Sequence, residues 1–317
     1  MNAFTQDPPQ AMTATTASCL IRYVEVWTPA PDNPGQVFLE SANLINPESL
    51  KPISPSVTQF SDGEGAIGSA IRQRGAVIFQ DMPCADLERV RNETGADITA
   101  FMAFPVYFED KLINVVAFGL IEGHGAVEIW TRDDRDELSI SGSFYGGLKA
   151  FEYISQHVKF PKGAGLPGVC WKQGIPKMVN DPGANPNFIR SFDRDPAKLI
   201  SAVGLPISRT YGYPASILLL LSSQANPLAK YMGVVKVDAE EPTEDVPLPE
   251  MKVTAVEGSS VKDENDVAWQ QAAIEQLAST GRATILTGDA VGEGLHAGIA
   301  IPFSRKGRTD RVWLLAF

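Results

Sequence analysis

Apolar and polar positions along the chain follow a pattern that recurs three times, at intervals of about 100 residues. Each copy ends in two apolar stretches separated by a short polar break, which is the pattern of a β-hairpin. A proline stands in the first stretch of each pair. The three hairpins span 103–120, 204–221 and 299–317, and their prolines are Pro105, Pro206 and Pro302. Recurrence at a fixed period indicates a repeated structural unit.

Two further landmarks precede each hairpin. One is an apolar run that ends in aspartate, at Asp81, Asp181 and Asp289. The other is a strand with alternating apolar residues, at 23–29, 126–133 and 232–239, followed each time by a second strand. We expect the aspartates to cap the turns that follow them, since aspartate bonds readily to nearby backbone N–H groups.

The landmarks predict one order of elements in every copy: strand, strand, short helix, strand, variable segment, strand, strand. The helices are predicted at 66–74, 166–173 and 266–280. Short connections favour pairing between neighbours, so each copy becomes an antiparallel sheet of about five strands, with short helices and the variable segment, the lid, on one face. The predicted fold class is α+β, with three tandem units.

The predicted boundaries follow from the repeat. Residues 1–18 are polar and rich in proline and threonine, and are expected to be a disordered tail. Unit 1 is 19–122, unit 2 is 123–224, and unit 3 is 225–317. Unit 3 is degenerate, because its lid shrinks to about 290–296.

The final strand of each unit is apolar on both faces, as in NVVAFGL, ASILLLL and RVWLLAF. A strand with one face in water would alternate apolar and polar residues. Both faces of each sheet are therefore expected to be covered, one by the unit's own helix and the other by a neighbouring unit or a second chain.

Two stretches, GEGAIG (63–68) and GAGLPG (163–168), match the G-x-G-x-x-G pattern of dinucleotide-binding loops. That fingerprint needs a strand running directly into the first glycine, then a long helix and a parallel strand. Here the helices have room for about two turns, and the units are predicted to be antiparallel. We interpret the glycines as tight turns entering short helices.

Composition and charge exclude several classes of protein. The chain has 317 residues, a formal net charge of −11, and no run of lysine and arginine, which disfavours nucleic acid and anionic membranes as partners. Neither a membrane-spanning run nor a signal peptide is seen, so a cytoplasmic location is expected. Three widely spaced cysteines indicate no disulfide framework.

The ordered motifs of unit 2 resemble those of the GAF family. They are the turn F-P-K-G-A-G-L-P-G (160–168), a strand ending at Asp181, the stretch N-F-I-R (187–190) and the strand A-V-G-L-P-I (202–207). The resemblance covers 126–222 most fully, 21–120 through fewer motifs, and 232–317 through the AGIAIP stretch and the strand order. The long helices that usually join GAF domains are missing between the units.

This resemblance implies a non-enzymatic small-molecule sensor, whose ligand lies between the sheet and the lid. The lids are Met82–Ile98 in unit 1 and Pro182–Leu199 in unit 2, and unit 3 is expected to bind no ligand. Unit 2, or alternatively unit 1, holds the ligand. The candidate ligand-binding residues are Lys177, Asp181, Phe188, Arg190, Phe192 and Arg194. The alternative interpretation is that the two phenylalanines pack against the core and that the charged groups face solvent.

Other chemistries leave little trace in the sequence. Cys84 lacks the following histidine of bilin-binding GAF domains, and no set of cysteines matches the free methionine sulfoxide reductases that share the fold. No metal-ligand spacing, catalytic serine motif or cofactor motif is found. Two alternatives stay open, namely a structural or protein-interaction scaffold and, less favoured, a redox enzyme of the reductase type. A sensor of this kind would pass its signal to a protein partner or act as a homodimer.

Overall fold

The structure is a computed structural model. It describes residues 19–45, 50–53, 55–80, 84–185, 188, 190, 198–210, 213–239, 251–259, 267–287, 291, 295–305 and 308–317. The predicted tail, 1–18, and most of the predicted third lid lie outside this part of the chain.

The first sheet is antiparallel throughout and has the strand order β3-β2-β1-β7-β6-β5, with β4 also paired to β2. Helix α1 (Gly65–Gln73) precedes β5, and helix α2 (Ala85–Thr94) lies between β5 and β6. The strands are β1 (Ile21–Ala30), β2 (Asn33–Ile45), β3 (Leu50–Pro52), β4 (Gln59–Ser61), β5 (Val77–Gln80), β6 (Ala100–Phe108) and β7 (Lys111–Leu120).

The second sheet is also antiparallel, with the order β10-β9-β8-β13-β12-β11. Helices α3 (Lys149–Ser155) and α4 (Gly165–Gln173) and the 3-10 turn Pro182–Ala184 belong to the same stretch of chain. The strands are β8 (Ala126–Arg132), β9 (Glu137–Phe144), β10 (Phe160–Pro161), β11 (Lys177–Asn180), β12 (Leu199–Thr210) and β13 (Tyr213–Ser223).

The third sheet has the order β15-β14-β18-β17-β16, with helix α5 (Val267–Thr280) before β16. Its strands are β14 (Tyr231–Ala239), β15 (Met251–Ser259), β16 (Thr284–Thr287), β17 (Ala297–Arg305) and β18 (Arg308–Ala316). In all three sheets, the first long strand pairs with both the second and the last. The predicted α+β class, dominated by antiparallel sheet, is confirmed.

The three helices expected from the sequence are found at α1, α4 and α5. Helices α2 and α3 were not predicted. In α2, the buried face includes two charged residues, Asp86 and Arg89, and the helix therefore has no clear apolar stripe in the sequence. Its burial depends on pairing between charges, which hydrophobic periodicity does not detect.

One hydrophobic core is shared by all three sheets. It contains Val26 and Phe118 of the first sheet, Leu218 of the second, and Trp313 and Leu315 of the third, each at most 1% exposed. The Trp313 ring lies 6.2 Å from that of Phe118. The second face of the sheets is thus covered by the other sheets of the same chain rather than by a second chain, and this explains why the last strands are apolar on both sides.

Polar contacts reinforce this arrangement. The fully buried Asn114 of β7 accepts a hydrogen bond from Ala283 N at 2.8 Å through Oδ1, and donates to Trp27 O through Nδ2. On another edge, Asn180 Nδ2 donates to Ser259 O at 2.8 Å. The bond between Ala283 and Asn114 joins the third unit of chain to the first sheet. The bond between Asn180 and Ser259 joins the second sheet to the third.

The three prolines that mark the sequence repeat come together in space. Pro105, Pro206 and Pro302 line one small cavity of about 30 Å³, together with residues of all three sheets. The three equivalent prolines of the sequence pattern therefore surround one point in the structure. This arrangement is expected when three similar segments pack around a common axis.

Candidate functional site

A larger cavity, of about 500 Å³, lies between the start of helix α4, strand β11 and the beginning of the second lid. This volume falls within the usual range of about 300–1,000 Å³ for small-molecule sites. The walls are mainly apolar and also carry an amine and an amide. The lining residues are Gly163, Ala164, Gly165, Leu166, Val169, Lys177, Met178, Val179, Asn185 and Phe188.

The glycine turn shapes one wall of the cavity. Gly165 has a φ of +58°, and a Cβ at this position would lie 2.5 Å from Cε1 of Phe160. A Cβ on Gly168 would lie 2.3 Å from Pro161 O. Both positions therefore require glycine for conformation or space. Helix α4 has only nine residues, and β11 runs antiparallel to β12, so this turn lacks the parallel framework of a dinucleotide fingerprint.

Two of the six predicted site residues line the cavity. Lys177 is half-buried on β11, opposite Gly204 of β12, and Phe188 is buried in the lid. Asp181 lies at the entrance to the lid, exposed, with a φ of +48°. The expected capping by its side chain is wrong, because the carboxylate makes no capping hydrogen bond, and instead its backbone oxygen accepts from Ala184 N at 3.1 Å.

Phe192 and Arg194, the last two predicted residues, lie outside the described part of the chain.

Arg190 belongs to the second lid, and its side chain is buried in the protein interior. Its side chain is 1% exposed, and Nη1 donates to Glu128 Oε1 at 2.5 Å and to Ser155 Oγ at 2.6 Å. The guanidinium also lies against four aromatic rings, with its Cζ 4.8–5.6 Å from their centroids. They belong to Phe151, Trp130, Phe160 and Phe188. Arg190 thus ties the lid to the second sheet.

The partner of Arg190 is a fully buried glutamate in the middle of β8. Glu128 also accepts hydrogen bonds from the indole of Trp130 and the hydroxyl of Tyr145, both at 2.9 Å. A buried carboxylate is costly unless it is paired and hydrogen-bonded, and here three donors satisfy it. Burial and the neighbouring Glu128 carboxylate raise the pKa of Tyr145, which keeps its hydroxyl protonated as a donor.

The first sheet carries the same arrangement. Glu25 of β1 is fully buried and accepts from Tyr23 at 2.7 Å and from Trp27 at 2.9 Å. Arg89 of helix α2, in the first lid, donates to Glu25 at 2.8 Å. The motif Glu-x-Trp on the first strand and an arginine from the lid therefore recur in two sheets.

The third sheet departs from this pattern. Glu25 pairs with Ala117 of β7 and Glu128 with Leu219 of β13, and the corresponding pair in the third sheet is Gly233 with Leu314. A Cβ on Gly233 would lie 2.4 Å from the Tyr231 hydroxyl. The place of the buried carboxylate is therefore filled by a tyrosine side chain.

Sequence reasoning missed Glu25, Glu128 and Arg89. A signal was present, since a glutamate two residues before a tryptophan interrupts an otherwise apolar strand in both copies. Such a residue in a core strand needs a buried cationic partner. The partner's position in the lid, 62 or 64 residues away, could not be inferred from the strand itself.

The three cysteines are buried and free. Burial raises the pKa of the Cys19 and Cys84 thiols, and raises that of Cys170 to about 12. Since the thiolate is the nucleophile, all three are poorly suited to thiol chemistry at neutral pH. Among the residues that the structure describes, no group of three histidine, cysteine or acidic side chains is positioned to hold a metal ion.

Within the same residues, no helix is both long and apolar enough to cross a membrane.

Comparison with known proteins gives structural similarities only. No family model and no curated protein matches the sequence. Parts of the chain are similar to a GAF domain from A. aeolicus in an inactive state, with 22% identity over 31% of this chain and 57% of that one, and a TM-score of 0.25.

Two further solved structures are similar to parts of the chain. A GAF domain/HD domain protein from Geobacter sulfurreducens has 15% identity over 32% of this chain and 65% of its own, with a TM-score of 0.26. A free methionine-R-sulfoxide reductase from Neisseria meningitidis, in complex with its substrate, has 17% identity over 45% and 60%, with a TM-score of 0.24. The chain thus spans less than two thirds of the length of each of these three structures.

Proposed function

We propose that this chain is a small-molecule-binding regulatory protein of GAF type, built from three tandem units at 19–122, 123–224 and 225–317. The ligand lies between the sheet and the lid of unit 2. The observation that carries this proposal is the cavity of about 500 Å³ at that place, with apolar walls and one lysine among its described lining residues. A cleft with few polar groups in an apolar wall is the usual form of a ligand site.

The common strand order of the three sheets supports the division into units. Further support comes from the buried glutamate and lid arginine found in the first and second sheets. Gly233 replaces the glutamate in the third sheet, which favours a structural role for unit 3.

The six proposed site residues take different roles. Lys177 and Phe188 contact the ligand, while Asp181 lies where the chain leaves β11 for the lid. Arg190 does not contact the ligand in this proposal. Its ion pair with Glu128 fixes the lid against the second sheet, and the lid carries Phe188. Phe192 and Arg194 lie outside the described residues and remain proposed ligand-binding residues.

The protein acts without catalysis in this proposal. The raised thiol pKa values disfavour the reductase alternative. The signal passes from the lid to a protein partner or to a second copy of the chain, in the cytoplasm, with neither nucleic acid nor membrane involved.

A thermal-shift screen with a library of small metabolites tests this proposal. A ligand present at about 100 times its dissociation constant adds about 2.7 kcal/mol to the free energy of unfolding, which raises Tm by several degrees. The variant Val169→Phe fills the cavity from helix α4 and should abolish the shift. Val256→Phe introduces the same side chain at an exposed position of β15 and should leave the shift unchanged.

The proposal fails if no compound gives a saturable shift. It also fails if Val169→Phe and the wild type respond equally, because the compound would then bind elsewhere.

A further inference from the structure

A second large cavity lies between the first and second sheets. Its volume is about 450 Å³, close to that of the cavity of unit 2. One wall is formed by the end of helix α1 and by strand β5, and the other by strands β8, β9 and β13. None of the described residues that line it is charged, and the side chains of β5 make much of the wall apolar.

Ser216 of β13 brings a polar group without a partner to this wall. The residue is 4% exposed, and its Oγ has no hydrogen-bond partner among the residues that the structure describes. Gly75 faces it from the first sheet, since a Cβ on Gly75 would lie 3.8 Å from that Oγ. A buried hydroxyl without a partner is costly, and a ligand that bonds to Ser216 removes this cost.

The equivalent position in the first sheet carries a side-chain amide. Ala117 and Leu219 lie opposite the two buried glutamates of the first and second sheets. Three residues before them, on the last strand of each sheet, stand Asn114 and Ser216. These two residues therefore hold the same place in their sheets, and the second sheet has a hydroxymethyl group where the first has a carboxamide.

The Asn114 carboxamide bonds at both of its ends. Its Oδ1 accepts from Ala283 N at 2.8 Å. Its Nδ2 donates to Trp27 O at 3.3 Å and to Thr28 Oγ1 at 3.1 Å. The side chain thus fills the boundary between the first and third sheets and satisfies polar groups on both sides of it.

The groups that would bond to such an amide are also present beside Ser216. Ala76 stands immediately before β5, as Ala283 stands immediately before β16. Thr131 lies opposite Ser216 and three residues after the buried glutamate of its strand, as Thr28 does in β1. Both Ala76 and Thr131 line the cavity. The second sheet therefore keeps the bonding partners of the carboxamide and lacks the carboxamide itself.

The third sheet differs at the corresponding place. Arg311 of β18 stands three residues before Leu314, is 7% exposed, and supplies a long side chain instead of a short one. The residue immediately before β11 is Pro176, which has no backbone N–H to donate. An amide would therefore find no backbone donor at this place.

We propose that the cavity between the first and second sheets binds a small neutral molecule that has a primary carboxamide and an apolar body. The ligand's amide takes the place that Asn114 takes in the first sheet. Its oxygen accepts from Ala76 N and Ser216 Oγ, and its NH₂ group donates to Thr131 Oγ1. The apolar body packs against β5. A carboxylate is disfavoured, because the described lining residues offer no positive charge to offset its desolvation.

An NMR titration of the isotope-labelled whole chain at pH 7 tests this inference. The probes are benzamide and hexanamide. For each amide, the matching methyl ketone keeps the carbonyl group and replaces NH₂ by a methyl group, and the matching carboxylate adds a charge. We expect at least one amide to bind roughly tenfold or more tightly than its ketone and its carboxylate. Binding should shift the backbone amide signals of 75–79 and 129–131.

Two variants assign the binding to this cavity. Thr131→Val keeps the shape of the side chain and removes the acceptor, so it should weaken the amide about tenfold with no effect on the ketone. Ser216→Asn supplies the carboxamide from the protein itself, and should raise Tm and abolish amide binding. Thermal melts show whether each variant is folded, and Thr131→Val carries the test alone if Ser216→Asn does not fold.

Two controls match these variants. Ser279→Asn makes the same substitution at an exposed position of helix α5 and should leave amide binding unchanged. Val169→Phe fills the cavity of unit 2 and should also leave it unchanged.

Several results would overturn the inference. One is that neither amide gives saturable shifts, and another is that a ketone or a carboxylate binds as tightly as its amide. A third is that Thr131→Val, or folded Ser216→Asn, binds the amide as tightly as the wild type. Loss of amide binding in Val169→Phe would place the compound in the cavity of unit 2, which overturns this inference and supports the proposed function.

Discussion

Arg190 of the second lid and Glu128 of strand β8 form an ion pair of 2.5 Å inside the protein, with side chains 1% and 0% exposed. Removing one partner leaves the other charge buried and unpaired, which typically costs about 3–5 kcal/mol. Arg190→Met is therefore expected to lower the free energy of unfolding in urea by about this amount. Replacing both residues, as in Glu128→Met with Arg190→Met, should restore part of the loss.

Arg132 provides the matched control for this pair. It also pairs with a carboxylate, Asp136 at 3.6 Å, but both side chains are at least half exposed. Surface pairs contribute about 0–1 kcal/mol, so Arg132→Met should have little effect. Equal losses in Arg190→Met and Arg132→Met would contradict the role of Arg190 as the anchor of the lid.

Asp86 gives the stability of the protein a predictable pH dependence. Burial raises the pKa of this carboxyl above its ordinary value of 3.8, and the bonds from Ala66 N and Arg89 only partly oppose the rise. The folded state therefore binds the proton more tightly than the unfolded state does. The contribution of Asp86 is most favourable below pH 3.8 and is lost as the pH rises through the raised pKa.

Asp86→Asn retains an oxygen that can accept from Ala66 N and removes the titration. Relative to this variant, the wild type should become progressively less stable as the pH rises from about 4 towards neutrality. Urea titrations of both proteins across that range measure the difference. A wild-type advantage that grows with pH would show that the pKa is lowered instead.

The substitution Trp313→Ala tests whether the three sheets share one hydrophobic core. It is fully buried and packs 6.5 Å from Phe104 and 6.2 Å from Phe118, so it joins the third sheet to the first. Trp313→Ala should cost about 3–5 kcal/mol, as for other large-to-small core substitutions. Because the sheets share one core, circular dichroism and fluorescence should report a single unfolding transition at the same urea concentration. Separate transitions would indicate that the sheets fold independently.

The substitution Gly165→Ala tests whether the turn at the cavity wall requires glycine. Gly165→Ala places a Cβ against Phe160 at a φ of +58°, and should destabilise the protein by at least about 1–2 kcal/mol. Gly183, in the 3-10 turn, is the control, because its Cβ would make only an ordinary contact of 3.6 Å with Asp181. Gly183→Ala is expected to be neutral or slightly stabilising. Thermal melts that rank the two variants in the opposite order would refute this account of the turn.

The sequence predicted the parts of the fold that depend on local pattern. Strands such as β13 and β18 are apolar on both faces, and this indicated that both faces of the sheets are covered. Helices α1, α4 and α5 were found because glycine turns or apolar spacing mark them. These signals come from residues that are close together in the chain, so they can be recognised in a single sequence.

The candidate site was predicted less completely, because its key contacts are long-range. Arg190 was expected to meet an anion from outside, whereas the structure pairs it with Glu128 of its own chain. Helix α2 was missed because its buried face holds Asp86 and Arg89. Ion pairs between a lid and a strand more than 60 residues away leave no periodic trace, so sequence patterns alone could not find them.

Hydrogen–deuterium exchange on the whole chain, with and without a compound from the metabolite screen, tests the central claim most directly. A ligand in the cavity of unit 2 should protect the amides of 163–179, and this protection should vanish in Val169→Phe. Protection confined to other segments, or protection that Val169→Phe retains in full, would contradict the claim that this cavity is the ligand site.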